Sequence, residues 1–375
     1  MILHIKDAKE IFSKIGSAVD TSDTISAVSQ SLEMSAKGKV FTINVTNKEY
    51  YVQYKTELDN EEYFQATVNA SLLLKLIPMI TTETVEFVLQ DNVLVVKGNG
   101  VYTIPIIYNG AEPLKLPEIK VDNYNTEFEI STATLQSILD YNAKELKKGT
   151  ISRPEQKMFY LDSEGAITYT TGACVNMFNI DKPIKVLLSS KVVNLFKLFD
   201  SNTVKVRLSK EIREDGLTEN KIAFITDNLC VYAYLNNDET LLERVPVTNI
   251  RGRATKEYPY QAIINKENIL QAINRLLVFV KDNMKLSKFV FDFDRLTIYD
   301  TSGKSYETVP LERNCTGISS GESYSVYISL DTFKTTLETC FGDTFEFNFG
   351  DKKAVTVVRG PGKIVNIIPE KSYTN

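Results

Sequence analysis

Apolar residues recur at helical spacing in three widely separated segments, each entered through a short polar stretch. The segments are IKDAKEIFSKIGSAV (5–19), ISTATLQSILDYNAKELKKG (130–149) and INKENILQAINRLLVFVKDN (264–283). One helix face of the second segment collects Leu135, Ile138, Leu139, Ala143 and Leu146, and one face of the third collects Ile269, Ile273, Leu276, Leu277 and Val280. A polar cap followed by this spacing predicts an amphipathic helix at the start of each of three similar units.

A second, shorter helix is predicted further along each unit. The segments are NASLLLKLIPMI (69–80), SSKVVNLFKLFD (189–200) and SLDTFKTTLETCFG (329–342), and each begins with a polar residue suited to capping. The apolar face of the last segment is formed by Phe333, Leu337, Cys340 and Phe341. Each unit should therefore contain two helices.

Strand-forming residues alternate with polar ones after each short helix. The segments are TVEFVLQDNVLVVKGNGVYTIPI (84–106), TVKVRLSK (203–210) and TFEFNFGDKKAVTVV (344–358). A period of two is typical of half-buried antiparallel strands. Within the first segment, KGNGVY (97–102) has the composition of a hairpin turn.

Two stretches are predicted to link the units. They are the proline-containing GAEPLKLPEIKVDNYN (110–125) and the basic, strand-poor VTNIRGRATKEYPYQ (247–261). The fold class is therefore α+β, with three tandem domains at 1–122, 123–250 and 251–375, each with two helices packed on antiparallel sheet. Such sheets leave strand edges open, which favours ring closure through edge-to-edge pairing.

Composition narrows the class of protein. Of 375 residues, 43% are hydrophobic and 24% charged, and 43 basic against 48 acidic residues give a net charge of −5. These values are typical of a folded globular chain, which could contact nucleic acid only through local basic faces. No apolar run reaches the roughly 18 residues of a membrane span, and the cysteines form no CxxC pair, so we expect a cytoplasmic protein with free thiols and no membrane contact. The cysteines are Cys174, Cys230, Cys315 and Cys340.

Catalytic and metal-binding patterns are largely missing. The single histidine, His4, leaves no histidine relay or HExxH zinc site, and no phosphate-binding GxxxxGK[ST] loop is present. We therefore expect no enzyme activity, no cofactor, no metal and no catalytic residue. In FDFDRL (291–296) the aspartates alternate with phenylalanines, which is typical of a strand with one solvated face, although Asp292 and Asp294 leave a two-metal nuclease as an alternative.

The repeat pattern resembles the bacterial sliding clamp, the beta subunit of DNA polymerase III. Short segments similar to that family are VNASLLLKLIP (68–78), TINVTNKEYYVQYK (42–55), AEPLKLPE (111–118), TYTTGACVNMF (168–178) and NIIPEK (366–371). The resemblance covers essentially the whole chain. It implies a head-to-tail ring of two chains that encircles double-stranded DNA without sequence specificity and is served by a DNA polymerase and a clamp loader.

The resemblance also implies two sets of site residues. Phosphate contacts carry no sequence information, so a sliding ring needs cations on its inner helices. The DNA-facing set is Lys9, Lys14, Lys75, Lys144, Lys147, Lys148, Arg153, Lys191, Lys197, Arg275, Lys281 and Lys334. The partner-peptide pocket, suited to Leu or Phe anchors, is Met158, Thr170, Gly172, Val175, Pro246, Ile250, Val355, Ile368 and Pro369.

The chain departs from the family at the pocket. Ala173 and Cys174 stand where the family has His-Arg, Glu370 stands where it has methionine, and the chain continues with SYTN. These departures suggest a divergent clamp of the kind that a phage could encode, with altered peptide specificity. The alternative from another class is a repeat-built, β-rich binding or virion structural protein with no DNA role.

Overall fold

The computed structural model describes most of the chain. The described residues are 1–20, 26–146, 151–212, 216, 218–236, 238–279, 286–338, 342–351, 354–359 and 363–370. Several predicted positions lie outside them, namely Lys147, Lys148, Val280, Lys281, Cys340 and Phe341.

The helices follow the predicted repeat. In the described part of the chain the α-helices are α1 (Ile5–Gly16), α2 (Ala70–Leu76), α3 (Thr132–Ser137), α4 (Ala143–Glu145), α5 (Ser190–Val193), α6 (Glu239–Arg244), α7 (Val247–Thr255), α8 (Lys266–Leu277) and α9 (Leu330–Glu338). Shorter turns of 3-10 helix are Ile77–Met79, Pro154–Lys157 and Asn194–Leu198, and a π-helix, Ile138–Asn142, separates α3 from α4. Both helices of all three predicted units are confirmed.

Local chemistry explains where these helices begin and what they bury. The side chain of Asn265 accepts the N–H groups of Glu267 and Asn268, which caps α8. The buried face of α8 includes Ile269 and Ile273, as the spacing predicts. The second segment is not one continuous α-helix, because the π-helix Ile138–Asn142 interrupts it.

The strands account for most of the remaining chain. In order they are β1 (Ile2–His4), β2 (Ser31–Thr46), β3 (Tyr50–Asn69), β4 (Thr84–Gln90), β5 (Val93–Lys97), β6 (Val101–Pro105), β7 (Tyr108–Asn109), β8 (Glu112–Pro113), β9 (Thr126–Ser131), β10 (Met158–Asp162), β11 (Gly165–Tyr169), β12 (Ala173–Met177), β13 (Lys185–Ser189), β14 (Thr203–Ile212), β15 (Thr218–Ile225), β16 (Leu229–Tyr234), β17 (Tyr260–Asn265), β18 (Ser287–Phe291), β19 (Arg295–Tyr299), β20 (Tyr306–Pro310), β21 (Tyr324–Ile328), β22 (Thr344–Phe349), β23 (Ala354–Arg359) and β24 (Lys363–Pro369). Every pair of these strands in the described residues is antiparallel, as predicted.

The chain forms two compact units. The first contains Met1–Ala133 and Asn194–Asn237, and the second contains Thr134–Val193 and Asp238–Asn375. The first unit holds sheets in the strand orders β1-β4-β5-β6, β2-β3-β16-β15-β14-β9 and β7-β8. The second holds β13-β10-β11-β12-β24-β23-β22-β17 and β20-β19-β18-β21.

One pairing pattern occurs three times. The strand before the first helix pairs with the strand after the second helix, and two further strands complete the run: β1-β4-β5-β6, β9-β14-β15-β16 and β17-β22-β23-β24. The orders β13-β10-β11-β12 and β21-β18-β19-β20 also match each other. This repeated order supports triplication of one unit. Pairing of β16 with β3, and of β24 with β12, carries the sheets across both predicted domain boundaries, and those boundaries remain predictions.

The eight-stranded sheet of the second unit is covered on both faces. One face contributes to a core with α8 and α9 that includes Ile264, Phe333, Phe347 and Val355. The other packs against α6 and α7 through residues such as Ile250.

Two sequence interpretations need correction. The predicted linker at 247–261 contains α7, and α6, capped by Asp238, precedes it. Leu241 of α6, Ile250 and Ala254 of α7, and Val245 between the two helices are all buried in one apolar cluster. The FDFD aspartates lie in the turn between β18 and β19 and not on a strand face, because the Asp292 N–H donates to the Arg295 carbonyl at 2.8 Å.

In the described residues, no helix is both long and apolar enough to cross a membrane.

A half-buried ion pair fixes α7 to β10. The Arg251 guanidinium donates to both carboxylate oxygens of Asp162, one at 2.8 Å, and lies 3.0 Å from the exposed Glu164 carboxylate. Burial alone would raise the pKa of Asp162, but hydrogen bonds from Arg251 and from the Glu164 N–H outweigh burial, so this pKa lies below its usual value.

We expect Asp162→Asn to lower the free energy of unfolding at pH 7 by about 2 kcal/mol, because it leaves the Arg251 charge poorly compensated. Since the folded-state pKa of Asp162 is depressed, this stabilisation is present above the unfolded pKa of about 4 and is lost as pH falls through the folded value. Urea denaturation at pH 7 and below pH 4 measures both effects. The control Glu164→Gln should cost under about 0.5 kcal/mol, since Glu164 is exposed; equal losses from both variants would contradict the prediction.

Candidate partner pocket and helix cations

A concavity of about 160 Å³ lies in the second unit between the β11–β12 turn, α7 and the end of β24. Its lining residues are Tyr169, Thr170, Thr171, Gly172, Ala173, Pro246, Asn249, Ile250, Arg253, Ile367 and Pro369. A cavity of about 150 Å³ can hold a benzene molecule, so this volume suits one large apolar side chain.

The β11–β12 turn forms one wall and is held from behind. The Thr170 N–H donates to the Gly172 carbonyl at 2.9 Å, and the Thr170 hydroxyl donates to the buried Glu145 carboxylate at 3.1 Å. A Cβ atom at Gly172 would lie 2.5 Å from the Ile367 carbonyl oxygen, so only glycine lets β24 approach this closely. Gly172 therefore sets the spacing of two pocket walls.

A buried carboxyl group also lies behind Tyr169. The Tyr169 hydroxyl donates to Glu155 at 3.5 Å, and burial together with the Glu155 charge raises the pKa of Tyr169 to about 12. The neighbouring Gln156 amide donates to the Thr170 carbonyl at 3.2 Å. These contacts tie the turn to the 3-10 turn at Pro154–Lys157.

Helix α7 forms the facing wall. Its first intrahelical bond runs from the Ile250 N–H to the Pro246 carbonyl at 3.0 Å. Asn249, Ile250 and Arg253 are spaced so that they share the helix face that lines the pocket. On the other side of α7, Thr248 and Gly252 line a separate, more open concavity of about 660 Å³.

The structure brings five of the nine predicted pocket residues together: Thr170, Gly172, Pro246, Ile250 and Pro369. Met158 and Val175 pack within the apolar cluster that includes Ile250 and Ile367. Val355 and Ile368 instead pair with each other inside the core formed with α8 and α9.

Strand alternation explains why Ile368 lies outside the pocket. Successive side chains of β24 point to opposite faces, so Ile367 lines the pocket and Ile368 points away from it. The sequence interpretation was one residue out of register on this strand. It also missed Asn249 and Arg253, which the i, i+4 spacing of a helix starting after Pro246 could have located.

Several predicted DNA-facing cations are already paired with carboxylates. The Lys14 ammonium lies 2.6 Å from Asp200, and its side chain is only 13% exposed. The Arg275 guanidinium holds both oxygens of Glu307 at 2.7 and 2.9 Å, and Lys334 lies 3.6 Å from Glu338. These three cations offer less charge to a ligand than their positions on helices suggest.

Other cations of the set are more available. Lys75 and Lys197 are exposed and Lys9 is half-buried, and for these three no ion pair with another described residue occurs. Lys144 and Lys191 carry further interactions within the described chain. Arg153 precedes the 3-10 turn at Pro154–Lys157, and its charge acts on Tyr169, which places it near the pocket.

No group of three or more His, Cys, Asp or Glu side chains in the described ranges is arranged to hold a metal ion. Asp292 instead pairs with Arg295 at 3.1 Å.

Similar proteins are found by structure and not by sequence. No protein-family model matches the chain, and no curated protein matches it. Solved structures with a similar fold include the DNA polymerase III beta subunit of Thermotoga maritima, with a TM-score of 0.77, 13% identity, and coverage of 100% of this chain and 99% of that one.

Two further solved structures give the same result. The sliding clamp of Pseudomonas aeruginosa bound to griselimycin has a TM-score of 0.80 at 11% identity, and the clamp of Bacillus subtilis has 0.75 at 15%; each comparison covers 99% of both chains. The α+β repeats, the pairing pattern and these full-length likenesses agree: the chain has the fold of the DNA polymerase III beta sliding clamp.

Proposed function

We propose that this chain is a non-enzymatic processivity factor, a sliding clamp that encircles double-stranded DNA and tethers a DNA polymerase to it. The observation that carries the proposal is the full-length likeness to solved sliding clamps. A clamp loader would open and close the ring, and the setting would be the cytoplasm of a bacterium or a phage-infected host. The domains would be 1–122, 123–250 and 251–375.

Strand edges support a head-to-tail dimer. The third strand after the second helix is β6 in the first repeat, β16 in the second and β24 in the third. Strand β16 pairs with β3, and β24 pairs with β12. By the matching sheet orders, β20 is the counterpart of β12. Within the described residues β6 and β20 each pair on one side only, so β6 of one chain and β20 of a second are the complementary edges.

Exposed apolar side chains accompany both edges. On β6, Val101 is 70% exposed. At β20, Tyr306 is 63% exposed, and Phe279, which follows α8, is 60% exposed. Because the α8 residue Arg275 binds Glu307 of β20, helix and strand form one surface. Burial of these apolar groups would add to the energy of strand pairing.

Val101→Asp or Phe279→Asp should weaken the dimer by about 100-fold or more, since each buries a charge in an apolar interface. Sedimentation velocity over a concentration series measures the effect, with two chains as the expected wild-type mass. Ile212→Asp on β14 is the control, because Ile212 is at least as exposed as Val101 and Phe279 but lies on neither edge.

Electron-microscopy class averages of the same samples test the ring directly. We expect closed rings with a centre wide enough for duplex DNA in the wild type and the Ile212→Asp control. Compact particles without a hole, at concentrations where the dimer persists, would refute the clamp and favour a repeat-built binding or structural protein.

Unpaired helix cations should supply the DNA contacts. The triple variant Lys9→Ser, Lys75→Ser, Lys197→Ser should bind a duplex of about 30 base pairs at least threefold more weakly, and the slope of log affinity against log salt should fall by about 0.9 per lost phosphate contact. Fluorescence anisotropy over a salt series measures both. A matched triple variant of exposed lysines outside the helices, Lys115→Ser, Lys182→Ser, Lys288→Ser, should bind like wild type; equal losses in both would contradict the assignment.

The pocket beside α7 should bind the apolar anchor of a partner segment from the polymerase or loader. As a probe we choose the peptide acetyl-Ala-Leu-Ser-Leu-Phe-amide, with an expected Kd on the order of 100 µM. Thr171→Trp should abolish binding in calorimetry, because a bulky side chain at the exposed rim obstructs the cavity. Thr248→Trp, on the opposite side of α7, should leave binding unchanged; loss of binding in that variant as well would argue against this pocket.

A further inference from the structure

The Lys14 side chain of α1 contacts a segment of the second repeat. Lys14 lies in the last turn of α1, and its ammonium donates to the Asp200 carboxylate at 2.6 Å. Asp200 follows the 3-10 turn Asn194–Leu198, which carries the exposed Lys197. This ion pair therefore joins the first helix of one repeat to the second helical segment of the next, inside the first compact unit.

The Lys14 ammonium is largely enclosed. Its side chain is 13% exposed, whereas the Asp200 side chain is 65% exposed. The ammonium also lies over the Tyr54 ring, 5.5 Å from the ring centroid, where the face of the ring attracts a cation. Burial raises the pKa of Tyr54, and the charges of Glu10 and Asp200 raise it further, so two carboxylates act at this position. Lys14 is thus held in acidic and aromatic surroundings.

Lys14 differs in this respect from the other predicted DNA-facing cations of its unit. Among the described residues of the first unit, Lys9, Lys75 and Lys197 have no carboxylate within ion-pair distance, whereas Lys14 has Asp200. The pair of Lys14 with Asp200 carries no net charge, so a phosphate gains little by approaching it. To contact Lys14, a phosphate has to displace Asp200 and leave that carboxylate unpaired beside a polyanion.

We propose that Asp200 limits the affinity of this chain for DNA by withholding Lys14 from the phosphates. The inference rests on the proposed function and deepens it by naming a residue that sets how tightly the DNA is held. A clamp that slides needs few and easily exchanged phosphate contacts, and each uncommitted cation adds one. Asp200 acts through Lys14 and is therefore a positioning residue, which touches no DNA itself.

The first test neutralises Asp200 without changing its shape. Asp200→Asn should bind a duplex of about 30 base pairs about threefold more tightly than wild type at about 0.1 M salt, and the slope of log affinity against log salt should steepen by about 0.9, as one added phosphate contact requires. Fluorescence anisotropy over a salt series measures both quantities. A damaged fold would weaken binding, so a merely structural role of Asp200 predicts the opposite sign.

The matched control is Glu10→Gln, which removes an exposed carboxylate one helical turn before Lys14. No ion pair joins Glu10 to Lys14 in the described residues, so this variant reports only the loss of a negative charge near the helix. Its affinity should rise by less than about 1.5-fold. Because Glu10 could take over Lys14 once Asp200 is neutral, the double variant Glu10→Gln, Asp200→Asn is measured as well and should bind at least as tightly as Asp200→Asn.

A second background assigns the gain to Lys14. When Lys14 is replaced by serine, no cation remains to be released, so adding Asp200→Asn to Lys14→Ser should give only the small gain of the Glu10→Gln control. The difference between the two gains is the coupling between Lys14 and Asp200. Thermal melts of all variants confirm that folded proteins are compared.

The outcomes separate the inference from the function on which it rests. If Asp200→Asn and the double variant bind DNA no more tightly than Glu10→Gln, or if the full gain persists with Lys14→Ser, the inference is overturned and the DNA role is left intact. Failure of wild type and every variant to bind DNA at the lowest salt overturns the proposed DNA role, and the inference with it.

Discussion

The pairing of strand edges is the constraint on which the rest of this structure depends. An antiparallel sheet exposes unpaired N–H and C=O groups along its outer strands, and these groups must be covered or joined to another strand. Here β16 is joined to β3, and β24 to β12, so that segments far apart in sequence become neighbours. Within the described residues, β6 and β20 end their sheets and pair on one side only.

The sequence predicted the elements better than their boundaries and faces. Periodicity located both helices of each repeat because their cores are built from side chains such as Ile273 and Phe333 at regular spacing. It failed at α7, whose basic and glycine-containing sequence has a weak apolar face; the half-buried pair of Arg251 with Asp162 fixes this helix, and that pairing is tertiary. It failed again at Ile368, where a shift of one residue changes which face a strand side chain occupies.

The charged residues divide by what they contact and not by where they stand in the sequence. Lys14 and Arg275 lie on helices predicted to face DNA, yet each holds a carboxylate of the same chain. Lys75 and Lys197 lie on the second helices of the first and second repeats, and both are exposed. An acidic protein can hold a polyanion only through such uncommitted cations, because a phosphate must otherwise compete with an existing partner. Sequence patterns cannot show this difference, since pairing depends on contacts between distant segments.

The pocket shows how such a fold can persist at 11–15% identity to solved clamps. Its shape depends on backbone features: the register of β24 against β12, the close approach that Gly172 allows, and the turn held from behind through Thr170. Its chemistry depends on a few side chains of α7. Among the residues that line it, Arg253 of α7 is the charged one. Because shape and chemistry rest on different residues, the specificity of the pocket can change while its geometry is kept.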